Sequence, residues 1–264
     1  MPQFGQITPA QTARLIGTAD CPVLFDVRLP EDHAALPAVI PTTILREHDQ
    51  FHSIELPPGR AIVVCMGGRK LSEGVAALLR GKGWQAEVLE GGAEAWAAAG
   101  LPLIPRAALP GTHLWVTRHR PKIDRIACPW LIRRFVDPAA RFLFVAPAEV
   151  PAVADRFAAI PFDIEGVRFT HRGEGCSFDA MLDDWNLHTE ALDRLATIIR
   201  AADTDRLDAA PQAAGLLAVS VGLSRMFRDD LQQLDAGLTL YDALYRWARD
   251  APDEGHDWPA RQRP

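Results

Sequence analysis

Up to about position 105, short apolar runs rich in β-branched residues alternate with stretches of helical character. Residues 23–27 and 61–64 are short apolar, β-branched runs that end in polar or glycine-rich turns, the pattern of strands buried in a parallel sheet, and 86–89 reads as a third strand. Residues 72–81 read as a helix joining the second and third of these strands. Thr8 before Pro9 predicts an opening helix with Thr8 as its N-cap. Gly91-Gly92 breaks the chain ahead of another helix over 93–99. Strand, loop and helix recur in the order an α/β fold requires, a parallel sheet flanked by helices with its active loop at a strand's carboxyl end.

The pattern then changes. Residues 101–111 hold three prolines and a glycine with no helical period, the composition of a semi-rigid linker. The chain therefore divides into a first domain over 1–105, a link over 106–112 and a second domain over 113–250. In the second, strands over 113–117 and 141–145 flank a helix that includes 130–135. From Ser177 onward the spacing is helical: Leu192-Leu195-Ala196-Ile199 and Leu216-Leu217-Val221-Leu223 predict apolar helix faces, and 238–248 continues the pattern. This domain is expected to be helix-rich α+β. Residues 251–264, with three prolines and mixed charge, read as a loose tail.

Composition narrows the function. Of 264 residues, 48% are hydrophobic and 23% charged, which fits a globular chain. A net charge of −6 argues against binding nucleic acid by neutralising phosphates. No window approaches the roughly 18 apolar residues of a membrane span. The N-terminus lacks a basic region followed by an apolar stretch, and the four cysteines form no CxxC pair, so reduced thiols in the cytoplasm are expected.

Among those thiols Cys65 has the richest surroundings, in the loop Cys65-Met66-Gly67-Gly68-Arg69-Lys70 between a buried strand and a helix. Backbone N–H groups at a helix start favour a thiolate. Gly67 and Gly68 allow successive amides to turn inward as an anion cradle, and Arg69 and Lys70 add positive charge at the rim. Such a cysteine can attack the outer sulfur of an anionic donor, hold it as a persulfide and pass it to a thiol, without a cofactor.

Three ordered motifs then resemble the rhodanese family: Phe25-Asp26-Val27-Arg28, Val63-Val64-Cys65, and Gly91-Gly92-Ala93-Glu94-Ala95-Trp96. The resemblance implies a rhodanese-like fold and a thiosulfate-type sulfurtransferase, with Cys65 catalytic and Asp26 and Arg28 as structural or rim groups beside the cradle. The loop departs from the family at the fifth and sixth places after the cysteine, where Lys70 and Leu71 replace Arg and Ser. Lysine lacks the planar fork of arginine, so donor recognition is expected to differ.

In the second domain, residues 115–135 carry six arginines and lysines, the closing Arg133-Arg134 pair included, together with His119 and three aromatic residues. Arg118 and Arg125 with His171 suggest an oxyanion site, because guanidinium forks match paired oxygens. A metal site is the alternative, drawn from His171, Cys176, Asp179, Asp203 and Asp205, although Asp179, Asp203 and Asp205 also suit helix ends. This stretch, with Ile160-Pro161-Phe162-Asp163, His171, Cys176-Ser177-Phe178-Asp179, Ala202-Asp203-Thr204-Asp205-Arg206 and Gly215-Leu216-Leu217-Ala218-Val219-Ser220, is similar to the C-terminal domain of the ChrB-type chromate-resistance family. The resemblance implies a bacterial chromate-resistance or chromate-responsive protein.

The expected partners are a small sulfur donor, a thiol acceptor and chromate, with no membrane and no nucleic acid. Two other classes stay open: a non-catalytic chromate- or metal-responsive sensor, and a thiol-based oxyanion reductase or phosphatase.

Overall fold

A computed structural model describes residues 5–255. The first part is a five-stranded, wholly parallel sheet. Its strands are β1 (Gln6–Ile7), β2 (Val23–Asp26), β4 (Thr43–Leu45), β5 (Arg60–Val64) and β6 (Gln85–Leu89), in the order β1-β6-β5-β2-β4. Flanking it are α1 (Pro9–Leu15), α2 (Pro30–Ala35), α3 (Lys70–Gly81) and α4 (Gly92–Ala98). Thr8 caps α1, its hydroxyl oxygen accepting from the Gln11 N–H at 3.2 Å.

Alternation along β5 divides the sheet's two faces. Ile62 and Val64 join one apolar cluster, while Val63 and Cys65 join another with Val75, Ala76 and Leu79 of α3. The first cluster does not stop at the end of the sheet. It runs on through Trp96 and Ile104 to Trp115, Trp130 and Trp185, so one core spans both halves of the chain.

The proline-rich connector lies against that core. Its strand β7 (Ile104–Pro105) pairs antiparallel with β3 (Ala38–Val39), and Ile104 is fully buried. The Trp96 and Trp185 indoles donate to the carbonyls of Pro102 and Ala108, at 2.8 and 3.1 Å.

The second half is α+β and rich in helix. A small parallel sheet is ordered β10-β8-β9, from β8 (Leu114–Arg118), β9 (Arg141–Val145) and β10 (Ile160–Pro161). Around it lie α5 (Asp124–Leu131), α6 (Val150–Phe157), α7 (Ser177–Trp185), α8 (Glu190–Asp203), α9 (Ala213–Met226) and α10 (Asp230–Asp250). α5 continues into a wider π turn over Ile132–Val136. In α8 the predicted face Leu192, Leu195, Ala196 and Ile199 is the buried one.

The buried face of α9 differs from its apolar spacing. Ala213, Leu216, Ser220 and Ser224 point inward, and Val219 and Val221 are exposed. At the last turn of α9 the guanidinium of Arg120 packs in, donating to the carbonyls of Ser224 and Phe227, and the small Ser224 gives it room. Residues 251–255 follow α10 as turn and coil, and the remainder of the expected tail, 256–264, lies outside the described residues.

Candidate functional site

β5 delivers Cys65 at its carboxyl end, and the chain turns through Met66, Gly67 and Gly68 into α3. The turn depends on two glycines with left-handed backbone, Gly68 (φ +64°) and Gly92 (φ +61°). A Cβ on Gly68 would press into the backbone of Leu89, Gly91 and Gly92, and one on Gly92 into that of Cys65, Met66 and Gly68. The loop and the start of α4 are thereby packed backbone to backbone. The carbonyls of Cys65 and Met66 accept from the N–H groups of Ala93 and Glu94, both at 3.0 Å.

The Cys65 side chain is largely buried, 6% exposed. Of the cradle amides, that of Arg69 donates to Sγ, at 3.4 Å. Sγ also lies 3.1 Å from the hydroxyl oxygen of Ser72, which in turn donates to the Arg69 carbonyl at 3.0 Å. Ser72 escaped the sequence reading because Leu71 fills the place where a hydroxyl was sought; the helical turn of α3 brings the next residue to the sulfur instead. Arg69 and Lys70 are exposed at the rim, and Met66 and Gly67 are partly exposed.

Asp26 and Arg28 need a correction as cradle or rim groups. Both are buried, and Arg28 forks onto Asp26 through Nε and Nη2 at 2.9 and 2.6 Å. Its Nη1 and Nη2 also donate to the carbonyls of Leu36 and Ala38. The guanidinium is committed to the fold, tying the end of β2 to the residue after α2 and to the start of β3.

The second constellation gathers at the carboxyl ends of β8 and β10, where open parallel sheets commonly hold ligands. Asp163 follows β10, Asp124 opens α5, His171 precedes α7, and Asp203 is the last residue of α8. His171 Nε2 lies 3.4 Å from Asp163 Oδ1, 3.4 Å from Asp203 Oδ2 and 3.8 Å from Asp124 Oδ2. One donor atom each from Asp124, Asp163 and His171 falls within a 4.8 Å span.

Each carboxylate is fixed from behind. Asp124 accepts from the N–H groups of Ser177 and Phe178 at the start of α7, at 2.8 and 3.0 Å, and from the Cys128 thiol at 3.3 Å. Asp163 Oδ1 accepts from the Ser177 hydroxyl at 3.0 Å; Oδ2 faces Arg118 Nη2 at 2.8 Å and Arg125 Nε at 3.2 Å. Two backbone outliers lie at the site, Ile123 (φ +37°) and Asp163 (φ +53°). The first is clamped by α10, with the Tyr241 hydroxyl donating to the Ile123 carbonyl at 2.8 Å and the Gln233 amide to that of Pro121.

Packing carboxylates together away from water raises the energy of their charges. Burial, then repulsion from Asp203 and Asp163, pushes Asp124 up to about 7 against the pull of its hydrogen bonds. Burial and Asp163 raise Asp203 as well. Burial also holds the thiols of Cys128 and Cys176 well above their ordinary range.

The structure therefore revises both expectations for this region. Arg118, Arg125 and His171 do converge, but around Asp163, which already engages both guanidiniums, so they do not form a free oxyanion pocket. Of the suggested metal ligands, His171 and Asp203 meet. Cys176 instead provides the buried N-cap of α7, Asp179 accepts from its N–H at 2.8 Å and pairs with Arg200 at 2.6 Å, and Asp205 is exposed beyond α8. Asp124 and Asp163 are the ligand candidates the sequence reading passed over. Asp163 sits just past a parallel strand, as Cys65 does in the first half, and Asp124 opens the helix that follows β8.

Other cations of the arginine-rich stretch are also spent within the fold. Arg134 pairs with Asp242 through two 2.8 Å contacts, and Arg133 lies 3.6 Å from Asp235.

Residues 115–248 match the family described as "ChrB, C-terminal domain". Protein ChrB of Cupriavidus metallidurans is 37% identical over 132 residues, covering 50% of this chain and 39% of that protein. The chain thus spans well under half the length of that relative. Solved structures similar to the first part include a rhodanese-related protein from Thermoplasma volcanium, 20% identical, covering 38% of this chain and 98% of that one with a TM-score of 0.33. A rhodanese-like domain protein from Staphylococcus aureus is 26% identical over 35% of this chain and 91% of its own, with a TM-score of 0.31.

Proposed function

For a chain that belongs to the ChrB C-terminal domain family, we propose a two-part chromate-resistance protein whose second half holds a hard divalent cation and whose first half carries sulfur on Cys65. The observation that carries the cation reading is the placing of His171 Nε2 at 3.4–3.8 Å from three separate carboxylates. Donors roughly 2.1 Å from a shared cation stand about 3.0–3.4 Å apart, so these gaps are near the edges of a coordination polyhedron.

The donor set suits such an ion. Two carboxylates and one imidazole, with the Asp203 carboxylate beside the imidazole, favour Mn²⁺, Mg²⁺ or Fe²⁺ over thiophilic metals. The nearby thiols are not free donors, since Cys128 donates to Asp124 and Cys176 stands at the α7 cap. A cation would relieve the repulsion that raises Asp124 and Asp203, and would supply Lewis acidity or an anchor for an anionic ligand. Ser177, Arg118 and Arg125 would position Asp163, while the start of α7 positions Asp124.

Titration of metal-free protein with Mn²⁺, followed by calorimetry and by loss of the free-ion resonance signal, tests the reading. Saturable one-to-one binding that vanishes in Asp163→Ala and His171→Ala is the expected result; equal binding in both variants overturns it.

Sulfur carriage rests on a different observation, the glycine-built loop that sets Cys65 between the Arg69 N–H and the Ser72 hydroxyl at the carboxyl end of a parallel strand. The thiolate attacks the outer sulfur of thiosulfate, sulfite leaves with the bonding electron pair, and a persulfide remains to be taken by an acceptor thiol. Intact mass after thiosulfate treatment is expected to rise by one sulfur in wild type and not in Cys65→Ser. An equal gain in both removes Cys65 from that role. The chromate link is tested by complementing a chromate-sensitive strain; Asp163→Ala is expected to fail where wild type restores growth.

A further inference from the structure

A cavity of about 310 Å³ opens at the carboxyl ends of β2 and β4, beyond the Cys65 loop, none of whose residues lines it. Its wall brings together chain segments far apart in sequence: Arg28 and His33 around α2, Arg46 and Glu47 after β4, and Arg106 from the connector. Arginines outnumber carboxylates there by three to two, and Arg28 and Asp26 neutralise each other. Arg46 and Arg106 have no carboxylate partner among the described residues.

Two residues of this wall each carry a buried nitrogen without a hydrogen-bond partner, Arg46 Nε and His33 Nδ1. The His33 side chain is only 9% exposed, and its other nitrogen stands 3.8 Å from Asp26 Oδ1. Buried polar groups in native proteins are nearly always satisfied, so two orphans on one cavity wall point to something that fills it. Both arginines are anchored through their backbones. The Arg46 N–H donates to the Asp26 carbonyl and the Arg106 N–H to that of Pro37, each at 3.0 Å.

We propose that this cavity binds a small tetrahedral oxyanion of the sulfate or phosphate type, held between Arg46 and Arg106 with His33 hydrogen-bonded to one of its oxygens. Guanidinium groups are matched to such oxygens and are less strongly hydrated than ammonium groups. Burial, with Arg28 and Arg106 nearby, lowers the His33 pKa against the pull of Asp26, which suits a neutral ring that hydrogen-bonds without needing its own counter-charge. Because Arg106 belongs to the connector, the ligand would join the first half of the chain to the segment that enters the second. The site is independent of persulfide formation.

Calorimetry of the full chain with sulfate and with phosphate, against chloride at matched ionic strength, tests the proposal. Saturable binding of either tetrahedral anion is expected, weakened at least tenfold in Arg106→Gln and in Arg46→Gln and unchanged in Cys65→Ser. Arg106 is exposed, so Arg106→Gln leaves the core untouched; circular dichroism checks Arg46→Gln, and Arg106→Lys, which keeps charge but loses the fork, is expected to bind with intermediate affinity. No saturable binding beyond chloride, or full affinity in Arg106→Gln, overturns the proposal. Loss of binding in Cys65→Ser would move the anion to the cysteine loop and overturn it equally.

Discussion

The Cys65 loop and the Asp163 cluster both sit at the carboxyl ends of parallel strands, yet they are built in opposite ways. The loop is a contiguous stretch shaped by backbone: two left-handed glycines and two carbonyls held by the first turn of α4. The cluster is assembled by side chains at or near the ends of five separate elements, β8, α5, β10, α7 and α8, spanning Arg118 to Asp203. A backbone-built site tolerates changes in neighbouring side chains but not an added Cβ. A side-chain-built site depends on charge balance, and each member removed leaves another exposed to the field of the rest.

Asp163→Ala should show this most strongly. It strands two guanidiniums and a buried hydroxyl, and a loss of about 3–5 kcal/mol in urea unfolding is expected. A loss below about 1 kcal/mol would mean the cluster is not held by charge. Gly92→Ala is the counterpart in the loop. It forces a left-handed alanine into the Cys65 and Met66 carbonyls, with an expected cost of about 3 kcal/mol and loss of sulfur uptake on Cys65.

The third test varies pH. Asp124 in the fold has a pKa of about 7, above its ordinary 3.8, so between those values the folded protein keeps a proton that the unfolded chain has released. Stability of the metal-free protein is therefore expected to fall as pH rises from about 4 to about 7, and Mn²⁺ to restore it at the upper end. Melting temperatures with and without the ion read both effects, and identical curves would count against the cation. The smallest effect is expected for Ser72→Ala, about 1 kcal/mol of stability, with a change of several-fold in the alkylation rate of Cys65 as the informative readout.

The same contrast explains what could be read from the chain. The strand–loop–helix order of the first part was legible because β2 and β5 at the centre of the sheet are short apolar runs, while the edge strands β1 and β4, two and three residues long, were not; Cys65 was legible because its partners are its own neighbours. Ser72 was hidden only by one position of helical phase. The second site was not legible in the same way. His171 and Asp203 were found as residue types, but the contacts of Asp124 and Asp163 depend on how α5, α7 and β10 meet, which no local spacing encodes. Arg118 and Arg125 suggested a free anion pocket because the sequence does not display the aspartate that occupies them. Buried Ser224 of α9 was missed for a related reason, since its partner Arg120 lies about a hundred residues away.

The pairing of Ile104–Pro105 with Ala38–Val39 bears on how such a chain can be recombined. A new first part joined at position 105 would inherit a connector shaped to fit its predecessor, and would have to present its own strand to Ile104 and an apolar face to the core beyond Trp115. Exchange of whole modules is thus constrained by fit along the seam rather than by the reach of the joining segment. For the same reason, a single protease cut within 106–112 is expected to leave two fragments that remain together until denaturant is added.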